Sequence, residues 1–196
     1  MPSEPEQADE RSASAALGRP IVLVGYRGVG KSTVARHLAL ALAWDWVDAD
    51  VELELRAGKS IAAIFADEGE PVFRDLEADT LAQLLRRERL VIAAGGGVVL
   101  RESNRGLLKD FARVVWLQAG PETILERLAA DTTTAARRPN LTSRGNAEEV
   151  IHLLQQREPL YEQAADLAVD ADRRSPEEIA AEIVQRLQLA PRTEPA

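Results

Sequence analysis

The chain has 196 residues, 45% apolar and 29% charged, the composition of an ordinary globular domain with its own core. It carries 24 basic against 32 acidic residues, net −8, which disfavours general binding to nucleic acid or an anionic membrane; any phosphate must be held by a concentrated local site. The lack of cysteine excludes disulfides, thiolate metal sites and a cysteine nucleophile; two histidines exclude a histidine-rich metal centre, and no run reaches the roughly 20 apolar residues of a membrane span.

Residues 1–19 are polar, small and proline-bearing, and they read as a flexible tail. Their acidic character lacks the basic-then-apolar order of a signal peptide, so a cytoplasmic protein is expected. The β-branched run 21–24 predicts a strand, then a glycine-rich turn, then a helix over 32–43. A second short strand is expected at 45–48, with helices at 51–57 and 60–67 broken at Gly58. A longer helix is expected over 71–87, with Phe73, Leu76, Leu81, Leu84 and Leu85 as its apolar stripe. Strand 90–93 runs into Gly95-Gly96-Gly97, followed by a helix at 101–110 and a strand at 113–117. Pro121 opens a helix to 130, where its missing N–H costs nothing. Residues 131–146 break the rhythm, and an aperiodic loop of that length with arginines reads as a lid. A helix over 147–163, a strand at 167–169 and a last helix from Ser175-Pro176 to about 189 complete the domain; residues 190–196 should fray. One α/β domain over 20–189 follows, a three-layer sandwich with a five-stranded parallel sheet. Ligands of such sheets bind beyond the carboxyl ends of the strands, where the candidate residues fall.

Gly25-Tyr26-Arg27-Gly28-Val29-Gly30-Lys31-Ser32 fits G-x-x-x-x-G-K-[ST] between a strand and a helix, the setting the motif requires. The N–H groups of Gly28, Val29 and Gly30 and the helix start at Lys31, Ser32 and Thr33 cradle phosphates; Lys31 reaches the β- and γ-phosphates, and the Ser32 hydroxyl suits Mg²⁺. The motif specifies a nucleoside triphosphate, not its fate. Asp48 and Asp50 flank Ala49; strand alternation would turn both toward the phosphate loop, one to orient water around Mg²⁺ and one to serve an acceptor hydroxyl. Arg74, early in its helix, wants an anionic partner, either Glu77 or a ligand carboxylate. The triple glycine allows close approach of a ligand to backbone N–H groups. Arg138 and Arg157 complete the set.

The phosphate loop, Asp48-Ala49-Asp50, Phe73-Arg74-Asp75-Leu76-Glu77, the triple glycine, Arg138-Pro139 and Arg157-Glu158-Pro159-Leu160-Tyr161 occur in the order found in shikimate kinases. The resemblance covers about 21–189. It implies the P-loop NTPase fold of the nucleoside-monophosphate-kinase type with a mobile lid, and ATP-dependent phosphorylation of the 3-hydroxyl of shikimate on the route to chorismate and aromatic amino acids. It assigns Lys31 and the glycine loop to ATP, Ser32 and Asp48 to Mg²⁺, and Asp50 to the acceptor hydroxyl. It assigns Arg74, Arg157 and Gly95 to Gly97 to the shikimate carboxylate pocket, Glu77 to orienting Arg74, Phe73 to the acceptor ring, and the lid residue Arg138 to both substrates and the transferred phosphoryl group. Arg138-Pro139-Asn140-Leu141 replaces the usual Arg-Pro-Leu-Leu, and Ala94 stands where threonine or serine commonly precedes the glycines. A gluconate-type kinase of the same fold and a non-catalytic nucleotide-binding module are the alternatives. A GTP switch is not expected, because none of the three lysines (31, 59, 109) lies in a guanine-reading Asn/Thr-Lys-x-Asp segment. Only small-molecule partners and a monomer are expected.

Overall fold

The structure is a computed structural model that describes residues 18–130 and 147–190. The expected lid with Arg138, and most of both expected tails, lie outside the described residues. Strand β1 (Ile21–Val24) leads to helix α1 (Lys31–Leu42), and β2 (Asp45–Asp48) to α2 (Ala49–Ala57), α3 (Ile61–Asp67) and α4 (Gly69–Leu84). Then come β3 (Leu90–Ala93), a 3₁₀ turn at Val98–Leu100, α5 (Glu102–Phe111), β4 (Arg113–Gln118), α6 (Pro121–Ala130), α7 (Ala147–Ala164), β5 (Leu167–Asp170) and α8 (Pro176–Arg186).

The five strands form one parallel sheet in the order β2-β3-β1-β4-β5. The central strands β1 and β3 are buried at every residue, as expected where helices cover both faces. Ile21, Leu23, Val91 and Val115 pack on one face against α1 and α8, through Val34, Leu38, Ile179 and Ile183. Val22, Val24, Ile92 and Val114 pack on the other, against Leu81 and Leu84 of α4, Leu108 of α5 and Tyr161 of α7. A third cluster, Leu53, Ile61, Ile64 and Phe73, knits α2, α3 and α4 into a separate shelf. β1 lies between β3 and β4, where the chain crosses from the β2-β3 side of the sheet to the β4-β5 side, so a crevice opens beyond the end of β1.

Two boundaries change the reading of function. Helix α2 begins at Ala49, two residues earlier than the periodicity suggests, because Asp48 caps it: its Oδ1 accepts from the Asp50 and Val51 N–H groups at 3.0 and 3.5 Å. Strand alternation therefore does not orient Asp50, which lies in the first turn of a helix. On α4 the buried face is Phe73, Arg74, Glu77, Thr80, Leu81 and Leu84, while Leu76 is only partly covered. A charged pair holds the position expected for an apolar residue, because arginine and glutamate neutralise one another there. The last helix ends at Arg186 rather than 189, and Ser175 closes its start in a reciprocal capping box with Glu178.

Candidate active site

The crevice is a cavity of about 720 Å³, a size suited to small-molecule ligands. Arg27 through Val34 form one wall, Asp48, Asp50 and Val51 another, and Ala94, Gly95 and Gly96 a third. Of the residues singled out in the sequence, Gly28 to Thr33, Asp48, Asp50, Gly95 and Gly96 line this cavity.

The phosphate loop is built from backbone. Gly25 has φ +138°, and a Cβ there would lie 2.5 Å from the Leu117 carbonyl oxygen, so only glycine fits. Lys31 Nζ donates to the carbonyls of Gly25 and Tyr26, both at 2.9 Å, which folds the ammonium back over the loop. No side chain caps α1 and no acid occupies its first turn, so its N-terminal N–H groups and dipole are left to an anion. The Ser32 hydroxyl donates to Asp48 Oδ2 at 2.6 Å. Asp48 therefore serves α2 with one oxygen and the phosphate loop with the other.

A second group of residues meets at the triple glycine. Arg74 donates from Nη1 to Glu77 Oε2 at 2.8 Å, and from Nε and Nη2 to Glu70 Oε1 at 3.2 and 3.0 Å. Burial opposes its charge, but Glu77 and Glu70 together outweigh that and raise its pKa above the ordinary arginine value. Gly97 lies against this guanidinium: a Cβ there would overlap Nη1 and stand 3.0 Å from Cζ. Arg157 Nη1 and the Tyr161 hydroxyl both donate to the Gly96 carbonyl, at 3.3 and 2.6 Å. The Gly95 and Gly97 carbonyls accept from the Val98 and Leu100 N–H groups at 3.1 and 3.0 Å, closing the 3₁₀ turn. Arg74 and Arg157 are both nearly buried and both converge on this turn.

Phe73 departs from expectation. It is 1% exposed, packed in the shelf with its ring 4.7 Å from that of Phe65, and it does not border the cavity. The Arg74 guanidinium rests over its ring at 5.0 Å, so Phe73 is a floor beneath the arginine.

Sequence reading missed the other end of the cavity, lined by Arg127, Leu128, Arg174, Pro176 and Ile179. Arg127 on α6 donates to the Val29 carbonyl at 2.9 Å and to the Ala171 carbonyl at 2.8 Å, bracing the phosphate loop against the segment after β5. Arg174 donates to the Asp170 carbonyl at 3.0 Å and to Glu182 at 2.6 Å. Hydrogen bonding from Arg174 outweighs burial and, with Arg186, holds the Glu182 carboxyl below its usual range. Nothing in the spacing of these arginines marks them; the only available signal is that they follow β4 and β5 at the carboxyl edge of the sheet.

Fold and site together define a P-loop kinase of the nucleoside-monophosphate-kinase type. The family model for shikimate kinase matches residues 27–188. The shikimate kinase of Rhodopirellula baltica is 47% identical over 165 residues, 84% of this chain and 88% of that one. That of Pseudomonas putida is 42% identical over 173 residues, 88% and 98% of the two chains. The solved structure of shikimate kinase from Acinetobacter baumannii in complex with shikimate is 35% identical, with a TM-score of 0.82 over 90% of this chain and 97% of that one. The chain belongs to the shikimate kinase family.

Proposed function

We propose that this chain transfers the γ-phosphoryl group of ATP to the 3-hydroxyl of shikimate, giving shikimate 3-phosphate and ADP on the route to chorismate and the aromatic amino acids. One observation carries the reading: two nearly buried arginines, Arg74 and Arg157, converge on the triple glycine that borders the same cavity as the phosphate loop and Asp50. Paired guanidiniums in a sheltered corner suit one carboxylate on a small acceptor. Membership of the family supports shikimate over gluconate, and it supports an enzyme over a module that only binds nucleotide.

In this reading Gly28, Val29, Gly30, Lys31, Ser32 and Thr33 hold the triphosphate. Arg74 and Arg157 anchor the carboxylate, with Gly95 to Gly97 beside it and Glu77 fixing Arg74. Asp50 holds the acceptor hydroxyl in line and takes its proton as the oxygen bonds to the γ-phosphorus and the bond to the β-phosphate oxygen breaks. Ser32 and Asp48 place two hard oxygens 2.6 Å apart on the cavity wall, a donor set that fits Mg²⁺. Bound there, the metal supplies neutralisation of charge between the β- and γ-phosphates. Arg127, Arg174, Pro176 and Ile179 line the end left for the nucleoside. Arg138, outside the described residues, takes the lid role the resemblance gives it. Among the described residues no helix is long and apolar enough to cross a membrane; a cytoplasmic monomer fits the small-molecule reaction.

ADP release with Mg-ATP, compared for shikimate, gluconate and no acceptor, tests the proposal. Release that depends on shikimate is expected. Release that depends on gluconate, or that no acceptor changes, overturns it.

A further inference from the structure

Among the described residues that line the cavity, each arginine but one is tied down. Arg127 spends its guanidinium on two carbonyls, and Arg174 is held by Glu182 and the Asp170 carbonyl. At the acceptor corner Arg74 is paired with two glutamates, and Arg157 is hydrogen-bonded to Gly96. The exception is Arg27, the third residue of the phosphate loop. It lines the cavity, its Nε is buried without a partner, and its guanidinium makes no ion pair or hydrogen bond among the described residues. The guanidinium lies near the Tyr26 ring, 6.0 Å from the centroid. A partly desolvated cation with no anion beside it is costly to keep, and an anionic ligand would offset that cost.

Position indicates which anion. The Arg27 backbone N lies 3.4 Å from where a Cβ on Gly96 would stand, so the residue leaves the loop where phosphate loop and triple glycine touch. The Tyr26 ring beside it is shared with Arg157, whose guanidinium lies 5.8 Å from the same centroid. One aromatic ring thus neighbours both the unpaired cation and an arginine assigned to the acceptor carboxylate. The Lys31 ammonium is held by the Gly25 and Tyr26 carbonyls, the two residues before Arg27 in the loop. Arg27 thus borders the cavity at the contact between the phosphate loop and the triple glycine.

We infer that Arg27 is a further catalytic residue, one that binds the phosphoryl group as it passes to the acceptor and holds the phosphate ester of the product. The inference rests on the kinase reading above, and turnover of shikimate by the unaltered chain checks that reading separately. Arg27→Met keeps the length and the packing on Tyr26 but removes the charge. Loss of a charged donor that acts in the transition state lowers kcat by about 10²-fold. The KM values for ATP and shikimate should stay within about threefold, because neither ground state uses the residue. Inhibition by added shikimate 3-phosphate should weaken at least about tenfold, a readout that a merely structural role would not move. Arg27→Lys should restore part of kcat, since a point charge replaces some but not all of a planar fork. Binding of ADP and the thermal midpoint of both variants report whether the loop is intact. Unchanged kcat and unchanged product inhibition overturn the inference. A raised KM for ATP with kcat preserved also overturns it, making Arg27 an ordinary nucleotide contact. Weakened ADP binding shared by the Met and Lys variants does so too, by reassigning the residue to loop folding.

Discussion

The phosphate loop and the acceptor corner meet at Gly96, yet they are made from opposite materials. The loop is main chain: a glycine at positive φ, an uncapped helix start, and a lysine held by two neutral carbonyls. The corner is side chain: Arg74, Glu77 and Arg157, brought from two distant helices and nearly buried. A ligand shared across a whole fold class can be met by backbone geometry. A particular acceptor needs charged groups placed one by one. The loop should therefore fail through turnover, and the corner through recognition.

The largest expected effect lies in the loop. Lys31→Ala should lower turnover by about 10³-fold or more in the ADP-release assay, because the clamp on the transferred phosphate is lost. Near-normal turnover would erase the distinction between the two regions. In the corner, Arg74→Ala should raise the KM for shikimate by about 10- to 10²-fold and leave ATP binding alone, in line with about 1.5–3 kcal/mol for a charged hydrogen bond. It also strands the Glu77 carboxylate, so the thermal midpoint should drop; an unchanged KM would make the pair a plain structural bridge. Gly97→Ala should act in the same direction but more weakly, about three- to tenfold in that KM, since the new methyl displaces the Arg74 guanidinium without removing it. An effect on ATP instead would show that the regions are mechanically one. The smallest effect lies remote from both. The Glu182 carboxyl is held below its usual value, so the unfolded chain binds more protons there than the folded one. The stability it adds is present above pH of about 4.5 and is lost as pH falls through the folded-state value. Thermal midpoints measured from pH 6 down to 3 should fall less steeply in Glu182→Gln than in the unaltered chain; parallel curves would remove Glu182 from the account.

The same contrast explains what could be read from the sequence. The loop was legible because its function depends on spacing within eight residues, Gly25 to Ser32, and on a strand before and a helix after. The strands were legible too, since β1 and β3 are buried on both faces and are apolar at every position. The corner was legible only as a list of parts. That Arg74 and Arg157 reach one turn depends on how α4 and α7 cross the sheet, and no local pattern encodes that. The setting of Asp50 was not legible: a capping aspartate starts α2 early, which two-residue alternation cannot show. The place of Phe73 was not legible, because an aromatic beside an arginine serves equally as floor or wall until packing decides. Arg27 and Arg127 were marked only by place, one at a variable position of the phosphate-loop motif and one after β4, since a pocket arginine and a surface arginine look alike in a chain with 24 basic residues.

The turn after β3 has one more consequence. The carbonyls of Gly95, Gly96 and Gly97 are all occupied from within the protein, the middle one twice. The next three, Val98, Val99 and Leu100, accept from Asn104 and Arg105. Six consecutive backbone oxygens thus accept from within the protein, which pins the turn along its length. Of the two that border the cavity, the Gly95 oxygen keeps one lone pair and the Gly96 oxygen has both filled. An ammonium or amide presented to Gly96 therefore goes unanswered, while one presented to Gly95 does not.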